Sequence, residues 1–399
     1  MTAAMPATVE RATPVPRRIL PAIALSQLAG TSLWFAINAV MPDLQRDVAW
    51  PAQAVGWLTA AVQLGFIAGT LVFALLAVAD RFSPRRVFLV CSLLGAGLAG
   101  LTAWLPPDLS TLLVLRLATG VCIAGIYPVG MKIAAGWYAH GLGWALGVLV
   151  GALVLGTAFP YGLRALGAEW PWQTVMASVG AVTAAGGVLM ALAVPDGPHL
   201  APRGAHSGWS PGALTVIWHD RRLRASVLGY FGHMGELYAL IVLLPAIIGL
   251  RIADGPAASM WAFAAIAAGA IGCVGGGLWA RRIGGARVAA IQLGCSGACA
   301  LLAPWMLDAP LLPWALWLLL WGLTVSGDSP QFSALTATNA PRELVGSVLT
   351  LVNSIGFAIS TATIVLFVHL AGVAPLHAVL PWLAVGPVIG VWCLRPLWR

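Results

Sequence analysis

The stretch Ala79-Asp80-Arg81-Phe82-Ser83-Pro84-Arg85-Arg86 closes one long apolar run and opens the next. A thinner version, Arg281, Arg282 and Arg287, follows at an offset near 201. An Arg-Arg start with a Pro finish, Arg17, Arg18 and Pro42, returns as Arg221, Arg222 and Pro245, 203 to 204 residues on. Gly125 and Pro128 return as Gly327 and Pro330, at an offset of 202. Three anchors at nearly one offset in a 399-residue chain indicate two homologous halves. In an apolar chain such duplication is the usual mark of a transporter, with its substrate held between the repeats.

Composition sets the solvent. With 60% apolar and 9% charged residues, and a mean hydropathy of +0.90, there is too little polar surface to cover a water-soluble core. Apolar stretches long enough to cross about 30 Å of hydrocarbon occur at 19–41, 52–79, 87–105, 109–136, 142–164 and 171–194. A second set lies at 224–250, 257–280, 287–307, 311–338, 343–370 and 375–395. Lipid leaves no partner for free backbone groups, so these runs must be helices unless they close a barrel, whose strands would alternate over about ten residues. They do not alternate. The expected fold is an all-α membrane protein of twelve spans in two six-helix bundles, numbered here as spans 1 to 12.

The net charge of +8 is topological. With the N-terminus inside, sixteen arginines fall in cytoplasmic segments, and only Arg46, Arg164 and Arg251 fall outside. The positive-inside rule then predicts that both termini are cytoplasmic, in an inner (plasma) membrane. No nucleic-acid partner is implied. Residues 1–16 read as a disordered tail with no cleaved signal, 17–194 as the first bundle, 195–220 as a Pro- and Gly-rich cytoplasmic linker, and 221–399 as the second bundle. The cysteines read as packing residues. Cys295 and Cys299, one helical turn apart, lack a His or carboxylate neighbour in their span, so no metal is expected. There is no phosphate-binding glycine loop, which excludes ATP as the power source, and no other cofactor is implied.

Taken with the whole pattern, residues 79–86 resemble the GxLADRxGRR turn of the major facilitator superfamily, and 277–284 resemble its degenerate second copy. Arg116-Leu117-Ala118-Thr119-Gly120 is similar to that family's RxxxG signature. The resemblance covers the whole chain. It implies the two-bundle fold, a cavity lined by spans 1, 4, 7 and 10, and rocking between inward-open and outward-open states. It also implies that Arg116 takes part in proton transfer or substrate coordination; a structural partnership with span 1 groups such as Asn38 is the alternative. There are departures. Leu76 stands at the leading Gly, Ser83-Pro84 replaces the later one, and span 5 has Gly147, Gly151 and Gly156 without the Gly-Pro pair of drug:proton antiporters. The run from Tyr127-Pro128 to Trp137-Tyr138, with the glycines that follow, is more similar to anion-type porters, although the Arg that nitrate porters carry in spans 2 and 8 is missing.

Charged groups inside hydrocarbon are expensive and mark function by default. Lys132 is the only lysine in the chain and sits in span 4, four residues after Pro128. It reads either as an inward-facing anion site or as a side chain snorkelling to the interface. His233 and Glu236 share a face of span 7. Together they form a carboxyl and imidazole pair equipped to move a proton, or else a packing hydrogen bond. Asp328, beside Pro330, is a second acid for coupling, or a polar cap at a helix break. Trp34, Asn38, Tyr127, Tyr238 and Gln331 complete the candidate substrate site. Asp80, Arg81, Arg85 and Arg86, with Arg281 and Arg282, form a candidate gate: a carboxylate among guanidiniums can pair with a neighbouring helix and hold one state.

Four close-contact glycines (Gly147, Gly151, Gly272, Gly276) are expected at the bundle interface, and tryptophans such as Trp104, Trp172 and Trp314 at the membrane surface. The leading functional expectation is proton-coupled secondary transport of a small polar, anionic solute by a monomer. The alternative is a proton-coupled exporter of hydrophobic or cationic compounds, and less favoured still is a non-transporting sensor. No enzyme chemistry is expected, because nucleophile, base and oxyanion donors do not converge.

Overall fold

Why each apolar run forms one helix or two is settled by its polar and glycine residues. The computed structural model describes residues 15–48, 50–138, 142–200 and 212–398. Most of the expected tail (1–14), the middle of the expected linker (201–211) and the terminal Arg399 lie outside the described residues. Span 1 is α1 (Ile19–Thr31) followed by α2 (Ala36–Ala39), with α3 (Met41–Val48) beyond it. Spans 2 and 3 are α4 (Ala54–Leu75) and α6 (Pro84–Trp104), joined through the short α5 (Val78–Arg81). Span 4 is α7 (Leu109–Ala124) plus α8 (Tyr127–Trp137), and spans 5 and 6 are α9 (Leu142–Leu166) and α10 (Trp172–Ala193). After the surface helix α11 (Gly212–His219), spans 7 to 9 are α12 (Arg221–Gly249), α13 (Pro256–Ile283) and α14 (Gly285–Met306). Span 10 is α15 (Leu311–Gly327) plus α16 (Ser329–Asn339), span 11 is α17 (Val345–Val373), and span 12 runs from α18 (Leu376–Val379) to α19 (Val385–Leu394). Among the described residues eleven stretches are long and apolar enough to cross a membrane, and α1, at 13 residues, is the short twelfth. The helices form two six-helix bundles.

Helix ends follow local chemistry. Asp108 caps α7 by accepting from the Thr111 amide at 2.8 Å, which holds its carboxyl below the usual carboxylate range. Asp220 caps α12 through the amides of Arg222 and Leu223, both at 2.8 Å. Span 1 breaks after Thr31 because two hydroxyls bond back to helix carbonyls, Thr31 Oγ1 to Gln27 at 2.8 Å and Ser32 Oγ to Ala29 at 2.6 Å.

The Gly and Pro anchors of the repeat are where spans 4 and 10 break. Pro128 and Pro330 each sit in the first turn of the second piece, where a missing N–H costs nothing. A Cβ on Gly125 would lie 2.2 Å from Cys91 Sγ, and one on Gly327 2.5 Å from Gln292 Nε2. Each broken helix thus presses on the third long helix of its own half, α6 or α14. The RxxxG glycine does comparable work: a Cβ on Gly120 would meet the Val62 carbonyl at 2.0 Å, and its counterpart Gly322 the Ala265 carbonyl at 1.9 Å. These contacts zip α7 to α4 and α15 to α13.

Between the bundles α9 packs on α13 and α4 on α17. Gly151 faces Val274 and Ala270 of α13, as expected. Gly272 and Gly276 do not face α9. They turn inward, Gly272 to the Leu323 carbonyl and Gly276 to Gln292, because small residues are needed for packing within the second bundle. Trp104 is 86% exposed as a surface anchor should be, whereas Trp314 and Trp172 are buried core residues.

Candidate functional site

The break in span 1 leaves two carbonyls without helical partners, and Arg116 takes both. From α7 its guanidinium donates to Leu33 O at 2.8 Å and to Trp34 O. Asn38 is not its partner; the Asn38 amide donates instead to Thr59 Oγ1 at 2.8 Å. A buried guanidinium needs acceptors, and broken backbone supplies them. The kink so held presents Trp34 and Phe35 to the second bundle. Trp34 stacks on Tyr238 (5.8 Å, 14°) and Phe357 (5.3 Å, 23°), Phe35 on Tyr238 (6.0 Å), and Phe66 packs on Phe357 (4.6 Å). These five rings form a plate across the two bundles.

Tyr238 and Phe357 also belong to a small central chamber of about 30 Å³, walled by Tyr127, Tyr230, Met234 and Asn353 among others. That is room for about two waters, so the bundles must part before a solute enters. The lining carries hydroxyls from Ser326, Ser329 and Ser333 and no charged side chain. A wider vestibule of about 200 Å³ opens between the bundles beside α2 and α3, with Asn38, Tyr161, Arg164 and Asp254 on its walls.

The acids lie behind the chamber wall, inside the second bundle. Glu236 and His233, expected to pair, have different partners. Glu236 Oε1 accepts from Ser296 Oγ at 2.8 Å and Trp321 Nε1 at 2.7 Å, while its Oε2 is buried without a hydrogen-bond partner among the described residues. His233 Nδ1 lies 2.8 Å from Asp328 Oδ1, an ion-pair distance, but ring and carboxylate are not aligned as a hydrogen bond. The separation has a helical reason: residues three apart share a face only broadly, and here α14 and α15 meet one side chain while the α15–α16 break meets the other. Asp328 sits at that break.

Lys132 lies away from the chamber, at the end of the first bundle where α4 gives way to α6. Its ammonium donates to Asp80 Oδ1 and, at 2.8 Å, to Ala79 O, joining α8 to the turn after α4. Of its two sequence readings, this placement is that of the interfacial side chain, because the stem reaches Asp80 and not the chamber lining. The rest of the candidate gate is divided. Asp196, not anticipated, accepts from Ser83 Oγ at 2.8 Å and pairs with Arg85 at 3.8 Å. Arg81, Arg86 and Arg282 are exposed. Arg281 crosses to the other bundle and lies 5.5 Å from the ring centre of Trp144.

Of the predicted substrate residues, Tyr127, Tyr238 and Trp34 gather at the chamber and plate, and Asn38 lines the vestibule. Gln331 faces Gly285 at the start of α14, outside the chamber. Phe357, Tyr230, Ser296 and Trp321 were missed. Serines and aromatics are too common in membrane helices to stand out until their neighbours are known.

The family model of the Major Facilitator Superfamily matches residues 23–364. An uncharacterized MFS-type transporter, YybF of Bacillus subtilis, is 24% identical over 258 residues, covering 64% of this chain and 63% of that protein. The multidrug efflux pump Tap of Mycobacterium tuberculosis is 30% identical over 113 residues, 28% of this chain and 26% of that one. The chain thus aligns with less than two thirds of the length of either relative. Among solved structures, the human organic anion transporter MFSD10 superposes with a TM-score of 0.73 at 18% identity, covering 96% of this chain and 100% of that one. Because the family model spans most of the chain and the superposition shows the same fold, the chain belongs to the Major Facilitator Superfamily.

Proposed function

We propose that this transporter moves a small amphipathic solute, neutral or cationic, in exchange for protons, as a monomer in an inner membrane with both termini cytoplasmic. The observation that carries the reading is the chamber wall: three tyrosines, a phenylalanine and several hydroxyls, with no basic side chain. The nearby basic groups are engaged elsewhere, Lys132 with Asp80, Arg116 with backbone carbonyls and His233 beside Asp328. An anion entering the chamber would meet no compensating charge, whereas an organic cation gains from ring faces. The partial likeness to a multidrug efflux pump agrees with this. The likeness to an organic anion transporter, at 18% identity, supports the fold alone.

Glu236, His233 and Asp328 are the coupling groups in this proposal. Asp328 at the helix break connects protonation to the angle between α15 and α16, and hence to the chamber serines on both sides of it. Residues 195–220 act as the link between bundles. Proteoliposomes with an imposed pH gradient test the reading: aromatic amines should move against the proton gradient, and Asp328→Asn should abolish proton-driven accumulation while equilibrium exchange of the amine persists. Accumulation of organic anions and not of amines would refute it.

A further inference from the structure

The vestibule beside the aromatic plate has walls from both bundles, α2, α3 and α9 on one side and α12, α13 and the turn between them on the other. The donors of its arginines are already engaged, and its two arginines, Arg46 and Arg164, are balanced in charge by Asp43 and Asp254. Arg164 donates to Asp43 at 2.9 Å and to the carbonyls of Gly167, Ala168 and Trp170 at 3.0 to 3.1 Å, and Arg46 donates to the same Asp43. Tyr161 and Asn38 line the floor, both more than nine-tenths buried, and among the described residues the Tyr161 hydroxyl, which can donate or accept, and Asn38 Oδ1 have no hydrogen-bond partner. The direction of the Asn38 amide is fixed by its neighbour. Thr59 gives its only hydroxyl hydrogen to Val55 O at 2.7 Å, so it must accept from Asn38 Nδ2, which leaves the amide oxygen free. Asp254, an exposed carboxylate, faces these groups from the other bundle.

We propose that this vestibule is a second binding site, for the ammonium group of a small protonated amine, distinct from the chamber. The ammonium sits between Asp254 and Asn38 Oδ1 with the Tyr161 hydroxyl as a further acceptor, and the apolar body lies on Pro245, Ala258 and Ala262. Two buried oxygens without partners are costly unless a ligand or water completes them. The volume of about 200 Å³ is below the roughly 300 Å³ at which drug-sized sites begin, so the site takes amines smaller than a typical drug. The proposal rests on the cationic reading of the transport function, and identifies where the cation pauses before or after the plate opens.

The test is equilibrium binding of radiolabelled cyclohexylammonium to the full-length chain in nanodiscs. Two sites per chain are expected. Asp254→Asn and Tyr161→Phe should each weaken one of them about tenfold, the loss typical of one hydrogen bond to a charged group, and Tyr238→Ala should weaken the other. Because Tyr161→Phe deletes a single oxygen, misfolding does not explain its effect. The quaternary analogue, cyclohexyltrimethylammonium, has no N–H to give and should bind the vestibule site at least tenfold more weakly. A single site insensitive to Asp254→Asn and Tyr161→Phe overturns the vestibule and leaves the chamber reading standing. One lost in those variants but unaffected by Tyr238→Ala supports the vestibule and overturns the chamber. No binding of either amine overturns both.

Discussion

Removing the Lys132 side chain separates a substrate cation from a gate contact, and the size of the effect follows from where the pair sits. Lys132 and Asp80 each keep 30% of their side-chain area exposed. At about 3 Å and an effective dielectric of about 20, the gross attraction is roughly 5 kcal/mol. Desolvation and side-chain ordering consume most of it. Exposed pairs retain about 0.2–1 kcal/mol, and breaking a buried pair costs about 3–5 kcal/mol. A pair one-third exposed falls between, at a coupling of about 1–2 kcal/mol, or roughly tenfold. The assay is a double-mutant cycle of Lys132→Met, Asp80→Asn and the two combined, with transport rate and substrate affinity read separately in proteoliposomes. Each single variant should slow transport about tenfold with affinity unchanged, and the double variant should be no slower than the worse single one. Additive rates together with a tenfold loss of affinity in Lys132→Met would refute the gate assignment and return the lysine to the substrate.

Two stability predictions concern backbone. Gly120→Ala places a methyl 2.0 Å from the Val62 carbonyl and should destabilise by about 1–3 kcal/mol, whereas at Gly100, where nothing lies within 4 Å, alanine should stabilise by about 0.5–1 kcal/mol; thermal unfolding in detergent that ranks them the other way contradicts the α4–α7 packing. Ala77 holds a left-handed φ of 48° in the gate turn. Ala77→Gly should relieve about 1–2 kcal/mol and raise the melting temperature, and a lowered value would show that the turn is not strained.

Much of the architecture is legible in the chain because lipid permits few alternatives. Long apolar runs must be helices, and a duplicated set of anchors must be a duplicated bundle. The Gly125-Pro128 and Gly327-Pro330 anchors even mark where spans 4 and 10 break, since a proline belongs in a first turn and a glycine where helices touch. Partnerships were less legible. A lysine after Pro128 reads as a cavity cation or an interfacial one, and its partner Asp80 lies 52 residues away along the chain, where no local pattern shows the pairing. His233 and Glu236 are neighbours in sequence, yet α14 and α15 claim Glu236 while the break at Asp328 claims His233. By itself, the sequence determined solvent, span number and repeat, because these depend on hydropathy and local backbone chemistry. Tertiary structure alone decided which charges are spent on backbone or on each other, and so which side of the charge balance faces a solute, because a buried ionic group is defined by partners that lie far away along the chain.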